Sequence, residues 1–118
     1  MDFPKRGDVY IANLDPTIGS EIKKTRPVIV VSNDIGNEFS NTVTVVPLTS
    51  IGTKNQKIRL FESLIKKSKN VNLESDSKAR ADQVRTIDKK RLARTLGYAS
   101  ENEITEVARA LRVHLALD

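Results

Sequence analysis

A short run after Gly19 gathers the side chains best suited to chemistry: Ser20, Glu21, Lys23, Lys24 and Arg26, closed by Pro27. One carboxylate set among three cations suits a phosphate, because arginine binds its oxygens in a bidentate fashion and a carboxylate can accept a proton beside it. Gly19 supplies a turn that other residues do not make cheaply. Pro27 fixes its own φ and pushes Arg26 out of the α region at the mouth of a strand.

What the chain lacks narrows the chemistry further. His114 is its only histidine and it has no cysteine, which disfavours a histidine-pair ribonuclease, a Ser-His-Asp hydrolase, a thiol nucleophile and a His or Cys metal site. His114 itself reads as a helix-packing residue. No P-loop, HExxH or GxGxxG pattern occurs. Carboxylate, arginine and hydroxyl remain. They suffice for attack of an RNA 2′-hydroxyl on the neighbouring phosphate, a reaction that needs a base and cations but no metal or cofactor, and that DNA cannot undergo. Composition permits this chemistry without selecting it.

The elements that must position these groups follow from breakers and periodicity. Asp8 to Leu14 lies between Gly7 and Asp15-Pro16 and reads as a strand, followed by the loop from Asp15 to Lys24. Val28 to Val31 has no polar alternation, as expected of a strand buried on both faces. Asn33 to Asn37 is a turn-rich connection with room for one helical turn, leading to a strand at Thr42 to Val46; Pro47 then leaves Leu48-Thr49-Ser50 as a loop mouth. Lys57 to Phe61 is expected as a strand, Glu62 to Asn72 as a polar exposed segment, Val84 to Asp88 as a strand, and Leu92 to Ala99 as a last strand or short helix. Ser100 and Glu103 form a capping box, and Ile104, Val107, Ala108, Leu111 and Leu115 recur at helical spacing, predicting an amphipathic helix from Glu101 to Leu117. Strands followed by one helix describe an α+β domain, most simply a small curled barrel.

The 118 residues fit one domain. The chain lacks the roughly 20-residue apolar run of a membrane span, and Met1-Asp2-Phe3-Pro4 does not resemble a signal peptide. A soluble cytoplasmic protein is expected. The net charge of +5 and pI near 9.6 favour a polyanion or an acidic protein segment as partner.

Several separated motifs then resemble one family. They are Arg6-Gly7-Asp8-Val9-Tyr10, Leu14-Asp15-Pro16-Thr17-Ile18-Gly19-Ser20-Glu21, Arg26-Pro27-Val28, Asn33-Asp34, Pro47-Leu48-Thr49-Ser50 and Ala81-Asp82-Gln83-Val84-Arg85-Thr86-Ile87-Asp88. In this order, over nearly the whole chain, they resemble the MazF/PemK toxins. The resemblance implies an SH3-like barrel of CcdB/PemK type with a C-terminal helix, a homodimer, and a metal-independent, sequence-specific endoribonuclease for single-stranded RNA. It also implies a cognate antitoxin with an acidic flexible tail.

By the same resemblance Arg26 and Thr49 match catalytic residues of the MazF branch, while Arg80 and Asp82 match an Arg-x-Asp-Gln pattern of the Kid branch, as general acid and general base. The family argument also places Lys78 to Gln83 on a strand, with Arg80 and Asp82 on one face. Glu21 is a second candidate base, Asp82 being slightly favoured. Arg26 is assigned to stabilising charge, because its pKa of roughly 12 or more makes it a poor acid. Ser20 stands where the Kid branch has a histidine. Lys24, Asn33, Ser50, Gln83 and Arg85 fall near the RNA groove, and the loops Ile18 to Thr25 and Ile51 to Lys57 are expected to read bases. Phe39 and Phe61 are expected in the core or an interface. CcdB-type toxins share the barrel but poison DNA gyrase and carry a tryptophan near the C-terminus; this chain has no tryptophan. An inactive RNA- or antitoxin-binding relative is the other alternative.

Overall fold

Gly7, at φ +95°, turns the chain into β1 (Asp8–Asn13), and β2 (Thr25–Val30) carries Pro27 near its start. The computed structural model describes residues 3–51 and 57–118. The order continues with α1 (Asp34–Phe39), β3 (Thr42–Ser50), β4 (Glu62–Ile65), β5 (Ser77–Arg80), a 3₁₀ turn at Ala81–Gln83, β6 (Arg85–Asp88), a second 3₁₀ turn at Lys89–Arg91, β7 (Leu92–Tyr98) and α2 (Glu101–His114).

All the strand pairings are antiparallel, in the order β4-β5-β3-β2-β1-β7 with β6 also on β3. The long β3 organises the sheet by changing partners. It pairs with β6 through Thr42 to Val45, with β2 through Val45 to Pro47, and with β5 through Leu48 to Ser50. Pro47, which has no N–H to donate, sits where the partner changes. Leu48-Thr49-Ser50 is thus strand, not the loop mouth expected.

Among the described residues the sheet does not close into the expected barrel, since β4 and β7 are not paired with each other. Only the segment after β4 reaches β7: Asn72 N–H donates to the Leu96 carbonyl (2.8 Å) and Tyr98 N–H to that of Asn70 (3.0 Å). Gly97 allows this approach. At φ +121°, a Cβ there would lie 1.9 Å from the Asn70 carbonyl oxygen.

Alternation along the strands feeds two core clusters, one on each face. Val9, Ile29, Val46, Leu48, Ile65, Ala79 and Leu96 pack with Val107 of α2, while Ala12, Val28, Val30, Val43, Val45 and Ile87 form the second. Val28, Ile29 and Val30 are buried, as the unbroken apolar run predicts, while Val31, the last residue of that run, lies past the end of β2 and is only partly buried. Each such side chain contributes about 1.5–3 kcal/mol by its removal from water. The capping box of α2 is present, with Glu103 N–H donating to Ser100 Oγ (3.1 Å) and Ser100 N–H to Glu103 Oε1 (3.0 Å). The helix stops at His114, which is exposed, as is Leu115; Val107 and Ala110 are buried against the sheet.

Three further expectations are corrected. Lys57 to Phe61 is not a strand; the strand is β4, inside the stretch expected to be polar and exposed, and Glu62, Ser63 and Ile65 are buried in it. Lys78 to Gln83 is not one strand either, because β5 ends at Arg80 and Asp82 lies in the 3₁₀ turn. Phe39 is 79% exposed at the end of α1, so of the two places expected for it, core or interface, the core is excluded.

Candidate active site

The loop between β1 and β2 is built by its own backbone and carboxylates. Leu14 N–H donates to the Lys24 carbonyl (3.0 Å), and Asp15 Oδ1 accepts from Lys24 N–H (3.0 Å). Gly19 takes φ +58° in the open, and Lys24 is held at φ +71°, a conformation that costs an L residue energy. Glu21 turns its carboxylate back on the loop, where Oε1 accepts from Ile18 N–H (2.7 Å). From the other side, Gln83 Oε1 accepts from Ile22 N–H (3.1 Å), tying the loop to the 3₁₀ turn. Ile18, Ser20 and Lys24 are left exposed at the rim.

That tie brings the two candidate bases together. Glu21, Asp82, Gln83 and Arg85 line one cavity of about 340 Å³ with Pro47 as a wall. Arg85 also donates from a terminal nitrogen to the Leu14 carbonyl (3.1 Å), holding the end of β1. Arg26 and Ser50 line a second, larger cavity of about 570 Å³, where β2 and β3 separate beyond the Val28–Pro47 pair. The guanidinium of Arg26 is oriented by a hydrogen bond from Nε to the Lys23 carbonyl (3.0 Å).

Strand parity places Arg26, two residues before Val28, and Thr49, two residues after Pro47, on the same sheet face. The Thr49 hydroxyl is buried and has no hydrogen-bond partner among the described residues. An unpaired buried hydroxyl costs about 1–3 kcal/mol.

Arg80 and Asp82 form a bidentate pair, Nε to Oδ1 at 3.0 Å and a terminal nitrogen to Oδ2 at 2.8 Å. The hydrogen bond from Arg80 holds the Asp82 carboxyl below the usual carboxylate range, against the opposing effect of burial. The same bond raises the Arg80 guanidinium further. Asp82 is therefore ionised but a weak base, and Arg80 is no proton donor near neutral pH.

Behind the pair lies a buried carboxylate that sequence reasoning missed. Glu62, 1% exposed, lies opposite Arg80, forms ion pairs through Oε2 with Arg80 Nε (3.2 Å) and Lys78 Nζ (3.3 Å), and accepts at Oε1 from Arg59 N–H (3.0 Å). Lys78 is the direct cross-strand neighbour of Thr49. The period-two run Lys78-Ala79-Arg80 carried a signal for Lys78; nothing local signalled Glu62, whose cationic partners are on another strand.

Asn33 does not join the site. It caps α1 at the far end of β2, with Oδ1 accepting from Gly36 N–H (2.8 Å). Of the expected base-reading loop Ile51 to Lys57, residues 52–56 lie outside the described residues.

The family described as PemK-like, MazF-like toxin of type II toxin-antitoxin system matches residues 5–115. The chain belongs to this family. It is 42% identical over 114 residues to an endoribonuclease MazF of Staphylococcus epidermidis, covering 97% of this chain and 92% of that one. The crystal structure of MazF from Deinococcus radiodurans superposes with a TM-score of 0.80 at 25% identity, covering 98% of this chain and 99% of that one. An endoribonuclease in complex with its cognate antitoxin, from mycobacterial species, shares the fold with a TM-score of 0.76 at 23% identity, over 98% and 97% of the two chains. For this MazF-like chain no helix among the described residues is long and apolar enough to cross a membrane.

Proposed function

We propose that the protein is an endoribonuclease toxin that cuts single-stranded RNA at short sequences through its own 2′-hydroxyl, and that a cognate antitoxin neutralises it. What supports this reading is that, in a chain of this family, Glu21 and Asp82 line one cavity, Arg80 is paired with Asp82, and Arg80 shares a sheet face with Thr49. The 42% identical relative bears the name of an endoribonuclease, and fold neighbours were solved with antitoxins bound.

In the step itself, a carboxylate takes the 2′-hydroxyl proton as O2′ bonds to phosphorus. The bond to the 5′-oxygen breaks, and that oxygen takes up a proton. The products are a 2′,3′-cyclic phosphate and a 5′-hydroxyl. Arg26 stabilises the charge that accumulates on the phosphoryl oxygens, and the free Thr49 hydroxyl donates to one of them. Glu21 is the more available base, because its second oxygen is uncommitted among the described residues while Asp82 spends both on Arg80. Asp82 then anchors Arg80 as a fixed cation. Ser20, Lys24, Ser50, Gln83 and Arg85 border the RNA path as binding and loop-ordering residues. These groups supply base and charge from the protein, so the step is written without a metal ion.

The same reading takes the chain as a single domain, its sheet as a curled SH3-like barrel with the segment 70–72 bridging toward β7, and the working form as a cytoplasmic homodimer. The antitoxin is expected to lay an acidic flexible tail over the basic groove. Arg26→Ala and Thr49→Val test the site. Each should lose growth arrest and RNA cleavage while keeping the melting profile, and an active, toxic Arg26→Ala protein would remove the assignment.

A further inference from the structure

We infer that Lys78 is a further phosphate-binding residue of this site, held in place by the buried carboxylate of Glu62. The inference rests on the endoribonuclease reading above and extends it to a residue outside the loop and the Arg-x-Asp pair. Lys78 lies directly across the β3–β5 ladder from Thr49, so their Cβ atoms sit about 4.5–5.5 Å apart on one face. That face also carries Arg80, two residues on along β5, and by parity Arg26.

The ammonium has three N–H donors, and one partner is identified for it, Glu62 Oε2 at 3.3 Å. Glu62 does not depend on Lys78 alone: Oε2 also meets Arg80 Nε, and Oε1 accepts from Arg59 N–H. Among the described residues the ammonium is engaged only by the ion pair with Glu62, so N–H donors of Lys78 remain for a ligand near the unpaired Thr49 hydroxyl. The Lys78 side chain is 14% exposed and the Glu62 side chain 2%. The lysine is therefore already ordered before RNA arrives, and the entropy of fixing its long stem is spent in folding. Burying a carboxylate to hold two cations is poor economy for stability, since an apolar residue of similar size commonly serves as well. It is a reasonable way to fix the position of cations that must meet a phosphate.

The test is a salt series of equilibrium binding to a fully 2′-O-methylated, mixed-sequence single strand, which has no free 2′-hydroxyl and cannot be cut. Replacing Lys78 by Met keeps the aliphatic stem and removes the charge; Lys78→Gln serves the same comparison if Met disturbs the sheet. The slope of log affinity against log salt should become shallower by about 0.7, the amount for one phosphate contact to a single strand, and Lys78→Arg should restore it. Single-turnover cleavage should fall in step with the lost contact. A folded Lys78→Met protein with the parent slope would overturn the inference while leaving the endoribonuclease reading intact. An unmodified chain that neither binds nor cuts RNA would overturn that reading and this one together.

Discussion

Two carboxylates share one cavity, and their surroundings separate base from anchor. Glu21→Gln removes the only proton acceptor of an exposed group that otherwise makes a single loop hydrogen bond through Oε1. The amide oxygen can still accept from Ile18 N–H. The expected result is a single-turnover rate lower by about 10²–10⁴-fold, the usual contribution of a general base, with RNA affinity and Tm close to the parent. Asp82→Asn instead breaks one arm of the bidentate pair with Arg80 and removes its charge. Hydrogen bonds to charged groups contribute about 1.5–3 kcal/mol. The two side chains are 28% and 24% exposed, so solvent screening brings the expected loss to about 1 kcal/mol, or about 4 °C in Tm for a chain of this size.

The pH dependence has a definite sign. Because the folded-state pKa of Asp82 is lowered by Arg80, its stabilisation is fully present above the unfolded value near 4 and is lost as pH falls through the lower folded value. The Tm difference between parent and Asp82→Asn should therefore hold from neutral pH to about pH 5 and vanish in stronger acid. Single-turnover cleavage and thermal melts on the two variants measure both quantities. A larger rate loss for Asp82→Asn than for Glu21→Gln, at unchanged affinity, would transfer the base to Asp82 and refute this division of roles.

Other outcomes follow from single contacts. Thr49→Val replaces a hydroxyl that has no partner among the described residues, so Tm should stay level or rise slightly while cleavage falls; a Tm drop of several degrees would mean the hydroxyl is structural. Gly97→Ala places a methyl 1.9 Å from the Asn70 carbonyl oxygen at a φ that L residues rarely adopt, so a loss of about 3 kcal/mol is expected in denaturant unfolding, and a neutral result would show that the 70–72 segment yields freely. RNA affinity should fall steeply as salt rises, and a flat response would contradict a groove built from cations.

The parts of the fold visible in the sequence were those specified by neighbouring residues. Gly7 and Pro27 frame β1 and β2, the apolar run read from Val28 to Val31 is buried as far as Val30, and Ser100 with Glu103 caps α2 where their spacing says. What escaped was long-range. Glu62 looks like a surface residue until Lys78 and Arg80 stand opposite it, so the lysine-rich stretch hid β4. Asp82 alternates with Arg80 as a strand residue would, yet the chain turns at Ala81 and the carboxylate folds back onto its own arginine. The same limit applied to the site. Arg26, Thr49 and Glu21 came from motif resemblance, and Arg26 lines a different cavity from Glu21; Asn33, named on equal grounds, is occupied as a helix cap.

The central claim is that this face directs an RNA strand's own 2′-hydroxyl at its phosphate. Purified protein incubated with EDTA on matched single-stranded RNA and DNA, followed by analysis of the ends, tests it most directly. The account predicts cleavage of the RNA alone, leaving a 2′,3′-cyclic phosphate and a 5′-hydroxyl. Cleavage of both strands, or RNA fragments carrying a 5′-phosphate, would contradict it.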